Sequence, residues 1–135
     1  MLQFYFLSIL ANILAGLTLA SESLAARFPG FAPFRELLSR RAYRAALGVL
    51  AAAVGFLKLL LRSSTADVRV VGDLVPALVG MAMGASLVLQ AVREKADLPA
   101  GSRLERAALA WRVPLGIVGI VTGVLHFLVP GALLL

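Results

Sequence analysis

Residues 42–60 and residues 110–128 carry one pattern written twice, aligned without a gap. Ala42-Tyr43-Arg44, Leu47-Gly48, Gly55, Leu57-Lys58 and Leu60 match Ala110-Trp111-Arg112, Leu115-Gly116, Gly123, Leu125-His126 and Leu128. A pattern recurring at a fixed distance marks a duplicated unit, here residues 1–67 and 68–135. The repeat also joins isolated features, because Lys58 and His126 become equivalent positions of one design.

What the repeated unit is made of follows from its polarity. Hydrophobic residues make up 61% of the 135 and charged residues 15%, and mean hydropathy is +0.95, beyond the range of a soluble domain. Apolar segments at 2–21, 43–61, 73–92 and 113–135 each approach the ~20 residues that cross a bilayer core as a helix. Only helices satisfy their own backbone groups there. The expected fold is therefore all-α, a four-transmembrane-helix bundle built from a tandem, same-orientation duplication of a two-helix hairpin. The first segment has no basic residue ahead of its apolar run and has a counterpart in the third, which reads as a retained span and not as an export signal. With no cysteine in the chain, disulfide and thiolate chemistry are excluded.

Basic residues set the expected orientation. Arg27, Arg35, Arg40, Arg41 and Arg44 flank the first loop and Arg93, Lys95, Arg103, Arg106 and Arg112 the third, against Arg62 and Arg69 around the second. Positive residues stay cytoplasmic, so loops one and three are expected in the cytoplasm and both termini outside, in the cytoplasmic (inner) membrane. The net charge of +6 then reflects topology and attraction to anionic headgroups, and nucleic acid is not an expected partner. A two-span unit returns to its starting side, so its copy has the same orientation and the halves are parallel, unlike an inverted-repeat transporter.

Spans two and four are expected to begin as basic amphipathic stems. Ser102-Arg103-Leu104-Glu105 is a capping-box pattern, and Pro33 suits a first helical turn. Along these stems Arg35 aligns with Arg103 and Arg44 with Arg112, four residues that read either as headgroup anchors or as a dedicated phosphate or lipid-headgroup site. Tyr43 and Trp111 align at the level where amphipathic aromatics settle in a bilayer. Pro114 is placed to bend span four, and Pro130-Gly131 to end it.

Small residues recur at close-packing intervals: Gly16 on span one, Gly48 and Gly55 on span two, Gly80 and Gly84 on span three, Gly116, Gly119 and Gly123 on span four. Such positions let helices in lipid approach closely. Lys58 and His126 continue those stripes along one helical face, so they are expected to face other helices. Ionisable groups in that setting pair or line a polar cavity. Lys58 reaching the outer surface and a neutral His126 bonded to a carbonyl are the alternatives to a shared outward-facing pocket for an anion, a carbonyl-bearing lipid-soluble molecule or a proton. At the cytoplasmic end Thr18 with Glu22 and Ser86 with Gln90 share faces at a spacing of one turn. Glu22, Gln90 and Asn12 are then candidates for an inner vestibule, with a simple interfacial ion pair as the other reading of Glu22.

No Gly-rich phosphate loop, metal-ligand pair or Ser-His-Asp set occurs, and the chain has a single histidine, so neither catalytic residues nor a metal site is expected. The text Arg44-x-x-Leu47-Gly48 through Gly55-x-x-Lys58-Leu59 resembles the first-span signature of DoxX-like proteins, a family of small four-helix membrane proteins. Gly123-Val124-Leu125-His126-Phe127-Leu128-Val129-Pro130 resembles a variant of it. The match covers about twenty residues each time and falls in spans two and four. The resemblance implies membrane-bound redox or quinone-linked chemistry, with Lys58 and His126 as the matching polar positions.

Three functions follow as expectations. The first is a non-enzymatic solute or ion pathway, or lipid-site scaffold, acting as a homo-oligomer with no cofactor. The second is an accessory subunit of a quinone-linked redox complex, the third an assembly factor that packs against a larger membrane partner. A continuous polar cavity joining Glu22 and Gln90 to Lys58 and His126 would favour a pathway, and a filled bundle centre would disfavour it.

Overall fold

A computed structural model describes residues 2–62, 74–96 and 101–129. Its regular elements are all helical: α1 Leu2–Arg27, a 3-10 turn Pro29–Phe31, α2 Ala32–Ser39, α3 Arg41–Arg62, α4 Leu74–Ala96, α5 Arg103–Ala110 and α6 Arg112–Leu128. The chain is all-α. Helices α1, α3 and α4 are each long and apolar enough to cross a membrane, whereas α5 and α6 meet that condition only as a pair bent by 55°. Arg69, the unit boundary at 67/68, Leu98-Pro99-Ala100 and Pro130-Gly131 lie outside the described residues.

Local chemistry accounts for the breaks. Ser102 and Glu105 close the capping box in both directions, which satisfies two orphan donors at the start of α5. Pro33 sits in the first turn of α2, where its missing N–H costs nothing. The stems, however, are not continuous with the long helices as the sequence led us to expect. Arg40 is extended (ψ 126°) and ends α2, while Trp111 (ψ 5°) separates α5 from α6. Pro114 supplies a reason for the second break: it cannot donate to the Ala110 carbonyl, and its ring crowds that oxygen.

The two stems then diverge. α2 folds back onto both α1 and α3 and buries Leu38. α5 touches α4 and α6 and buries none of its residues. Beyond them, α1 packs along α6 and α3 along α4, with α1 against α4 on the short diagonal.

Aligned residues make matching contacts in these two long pairs. A methyl added to Gly16 would lie 2.5 Å from the Gly116 carbonyl oxygen, and one added to the aligned Gly84 would lie 2.5 Å from the oxygen of Gly48. One turn or two further on, the same holds for Gly55 against Ala77 and Met81 and for Gly123 against Ile9 and Ile13. Backbones this close leave no room for a side chain, which explains why both pairs are built on glycine. Gly119 has a different use: the Met83 sulfur occupies the place its side chain would take.

Candidate functional site

Polar side chains collect at the two ends of the bundle, with an apolar layer between them. Ala11, Ala15, Leu19, Leu47, Ala51, Met83 and Leu87 form that layer, all buried. The polar ends are built from the faces that the helical spacing singled out. On α3 the buried residues include Leu47, Ala51, Val54 and Lys58; on α6 they are Gly116, Gly119, Thr122, Gly123 and His126.

At the end where α1 starts, Lys58 and His126 meet. Lys58 Nζ lies 3.5 Å from His126 Nε2, and the two residues retain only 7% and 2% of their exposure. Which of the two nitrogens donates in this contact depends on the imidazole tautomer. The Tyr5 ring stands 4.8 Å from the His126 ring, and its hydroxyl donates to the His126 carbonyl at 2.5 Å. Asn12 lies next along α1, buried, and its amide donates to the Pro76 carbonyl at 3.1 Å. The Asn12 carboxamide oxygen fills the space that a side chain at Gly80 would need, and Asn12 and Gly80 are aligned positions of the two halves. Sequence reasoning placed Asn12 with Glu22 and Gln90 in one vestibule. The structure places it nearer the opposite end, beyond Ala15 and Leu19, because ten positions of one helix, about 15 Å, separate it from Glu22.

Tyr5 was missed as a member of this cluster, as was the burial of Ser8 on the same helix. Their signal was available: Tyr5, Ser8 and Asn12 recur at intervals of three and four, one polar face in an otherwise apolar helix.

The other end holds a small basin of about 50 Å³, lined by Thr18, Ser21, Glu22, Arg35, Ser39, Arg44, Gln90 and Arg112 together with Leu19 and Leu38. Five helices contribute to it. Glu22 pairs with Arg112 from α6, and Arg44 pairs with Glu94 from α4. Under the sequence alignment Arg44 corresponds to Arg112 while Gln90 corresponds to Glu22. With an amide at 90, Arg44 finds its carboxylate one turn further along α4. Gln90 instead donates to Ser86 at 3.4 Å. Arg44 Nε is buried and meets no acceptor among the described residues.

Of the four arginines aligned along the stems, Arg35, Arg44 and Arg112 enter the basin and Arg103 does not. The divergence of α2 and α5 is the cause. A clasp holds α5 to α4 instead: Arg93 Nη2 and Nε donate to Glu105 at 2.7 and 3.3 Å. The Arg93 hydrogen bond, followed by the Ser102 amide, holds the Glu105 carboxyl below the usual carboxylate range.

A family model matches residues 1–126. The chain belongs to that family, an uncharacterised one. No curated protein and no solved structure matches it significantly.

Beneath α5 the 55° bend leaves an apolar cleft of about 430 Å³, lined among others by Ala82, Ala85, Leu89, Trp111, Pro114 and Val118. Leu14 and Leu17 stand where the other half has Ala82 and Ala85. Trp111 is 67% exposed, whereas the aligned Tyr43 packs against the core. One pair of aligned aromatics thus has two different roles.

Proposed function

We propose that this chain is an integral membrane protein of four spans, a duplicated two-helix hairpin, that works as a non-enzymatic scaffold with lipid sites and not as a conduit. α5 lies as a short amphipathic stem at the membrane surface and α6 forms the fourth span. Loops one and three face the cytoplasm, both termini face outward, and the bilayer and further copies of the chain are its partners.

One observation carries the choice of scaffold over pathway. Between Lys58 and His126 at one end and the arginine basin at the other stands the buried layer of Ala11, Ala15, Leu19, Leu47, Ala51, Met83 and Leu87. A polar solute crossing that layer would leave its hydration behind and meet mostly apolar side chains, since the buried Asn12 amide beside Gly80 and Ala51 is already bonded to the Pro76 carbonyl. Matched glycine contacts in α1–α6 and α3–α4 support the duplication, and the basic flanks of loops one and three support the orientation.

The test pairs flux with topology. Proteoliposomes holding the full chain are expected to conduct ions and small solutes no faster than empty vesicles. Flux that vanishes on replacing Lys58 and His126 by Leu would overturn the scaffold reading. Because the chain has no cysteine, single Cys substitutions at Gly30 and Gly101 report orientation directly, and labelling of either by an impermeant maleimide from outside the cell would overturn the topology.

A second reading, an accessory subunit of a quinone-linked redox complex, draws on Lys58 Nζ beside His126 Nε2 and on the resemblance to DoxX-like proteins. Lys58 Nζ, with an imidazole nitrogen beside it, is a donor that suits a quinone carbonyl. A quinone that co-purifies with the wild type and is lost from His126→Leu would favour it, and a quinone-free preparation from quinone-replete membranes would end it.

A further inference from the structure

We propose that the basin between α1, α2, α3, α4 and α6 is a binding site for a phosphate group. Three guanidinium groups, of Arg35, Arg44 and Arg112, line it against a single lining carboxylate, Glu22. Glu94 takes up part of Arg44 from outside the lining, and Arg35 makes no hydrogen bond or ion pair among the described residues. Arg44 Nε is a buried donor with no acceptor among them. Guanidinium groups bind phosphate oxygens through paired, charge-assisted hydrogen bonds, and a buried donor left unpaired is costly.

The rest of the lining agrees with a compact oxyanion. Ser21 and the second N–H of Gln90 add donors beside the arginines, while the Thr18 and Ser39 hydroxyls donate to the Leu14 and Glu36 carbonyls. About 50 Å³ is on the scale of one small tetrahedral group. The two halves together build this site with Arg35 and without the aligned Arg103, because α2 brings Arg35 over the bundle while α5 carries Arg103 away.

An apolar cleft lies beside the basin. Trp111 lines the cleft of about 430 Å³ and the next residue, Arg112, lines the basin. Ser86 lines the cleft and is bonded to Gln90 in the basin. That volume lies within the range of roughly 300–1,000 Å³ usual for small-molecule sites. The phosphate can belong to an anionic lipid, with one chain in the cleft, or be free in solution; only the lipid source rests on the membrane-scaffold reading.

Two measurements separate these sources. The full chain is reconstituted in nanodiscs of phosphatidylcholine with and without phosphatidylglycerol, released, and read by native mass spectrometry for retained lipid. In parallel, thermal unfolding in detergent is followed against inorganic phosphate, with chloride at equal ionic strength as control. Phosphatidylglycerol is expected to be retained over phosphatidylcholine, with about tenfold weaker retention in Arg35→Gln and Arg44→Gln, the scale for losing one charge-assisted hydrogen bond, and none lost in Arg103→Gln. Arg35 is exposed, so its variant keeps the test independent of folding. Stabilisation by inorganic phosphate that Arg35→Gln removes, without lipid retention, keeps the site and assigns free phosphate. Equal losses in Arg35→Gln and Arg103→Gln would show diffuse surface charge and overturn the site, as would a wild type that neither retains the lipid nor responds to phosphate. A solute flux would refute the scaffold reading and leave these results untouched.

Discussion

Lys58 Nζ and His126 Nε2, at aligned positions of the two halves, lie 3.5 Å apart in one chain. The equivalence of these residues is thus also a contact: α3 and α6 face one another across the short α1–α4 diagonal, and equivalent positions meet on it. Asn12 and Gly80 meet in the same way, on the diagonal itself. Wherever aligned residues meet, identical side chains at both positions would have to occupy adjacent space, which forces a choice. Two lysines would repel and two asparagines would overfill. A histidine opposite lysine and a glycine opposite asparagine resolve both conflicts, which gives a physical reason for the one-sided substitution in each pair.

The pair predicts non-additive energetics. His126→Leu removes a partner from the buried Lys58 nitrogen, and Lys58→Leu removes one from the buried imidazole. Each single variant is expected to lose about 1–3 kcal/mol, the cost of leaving a buried polar group less satisfied. The double variant should lose at least ~0.5 kcal/mol less than the sum, as for residues in direct contact. Denaturant-induced unfolding of all four proteins in one detergent checks this, and strict additivity would mean that the two groups do not interact.

Close backbone approach at the glycines predicts a symmetric pair of effects. Gly16→Val and Gly84→Val each drive a side chain into a carbonyl oxygen across the interface, and overpacking of this kind costs about 1–3 kcal/mol. Gly30→Ala, with nothing within 4 Å, is expected to leave thermal stability unchanged. A large loss at Gly84 with none at Gly16 would show that the two long helix pairs are not built alike.

How far the sequence reached can be judged from these elements. The buried stripes of α3 and α6 were legible because the spacing of Gly48, Gly55 and Lys58, and of Gly116, Gly123 and His126, follows one helical face. The capping box at Ser102 was legible because it is a local hydrogen-bond exchange. Less accessible was the separation of Asn12 from Glu22 by the Ala15–Leu19 layer, which depends on depth along the bundle. The divergence of α2 from α5 was harder still, since it arises from where each stem finds a partner: α2 on α1 and α3, α5 on α4 through Arg93 and Glu105. For the same reason the convergence of Arg35 with Arg44 and Arg112, without Arg103, could not be read from aligned text.

The Arg93–Glu105 clasp predicts a response to acid. The Arg93 hydrogen bond lowers the folded-state pKa of Glu105, so its stabilisation is present above the usual carboxylate range and is lost as pH falls through the lowered folded value. Trp111, the single tryptophan, sits at the α5–α6 break and reports the stem's position. Its emission is expected to hold steady from neutral pH down into the carboxylate range and to change below it. Glu105→Gln should show the acid-form emission already at neutral pH, and an acid transition that persists unchanged in that variant would assign it to another group.

The bend between α5 and α6 predicts an effect of one proline on the cleft. Pro114 cannot donate to the Ala110 carbonyl, and its ring crowds the same oxygen; Trp111 takes up the break with ψ near 5°. Pro114→Ala restores the donor, and a proline in a helix interior is disfavoured by about 3 kcal/mol relative to alanine. α5 and α6 are therefore expected to join into one straighter helix, pulling Glu105 away from Arg93 and opening the wall of the cleft that Trp111 forms. Spin labels on Cys residues introduced at Gly101 and Val92 should move apart in Pro114→Ala, and a lipid retained by the wild type should be released. Unchanged label distances would mean that the Arg93–Glu105 clasp, and not Pro114, sets the bend, in which case Glu105→Gln should straighten the helix where Pro114→Ala does not.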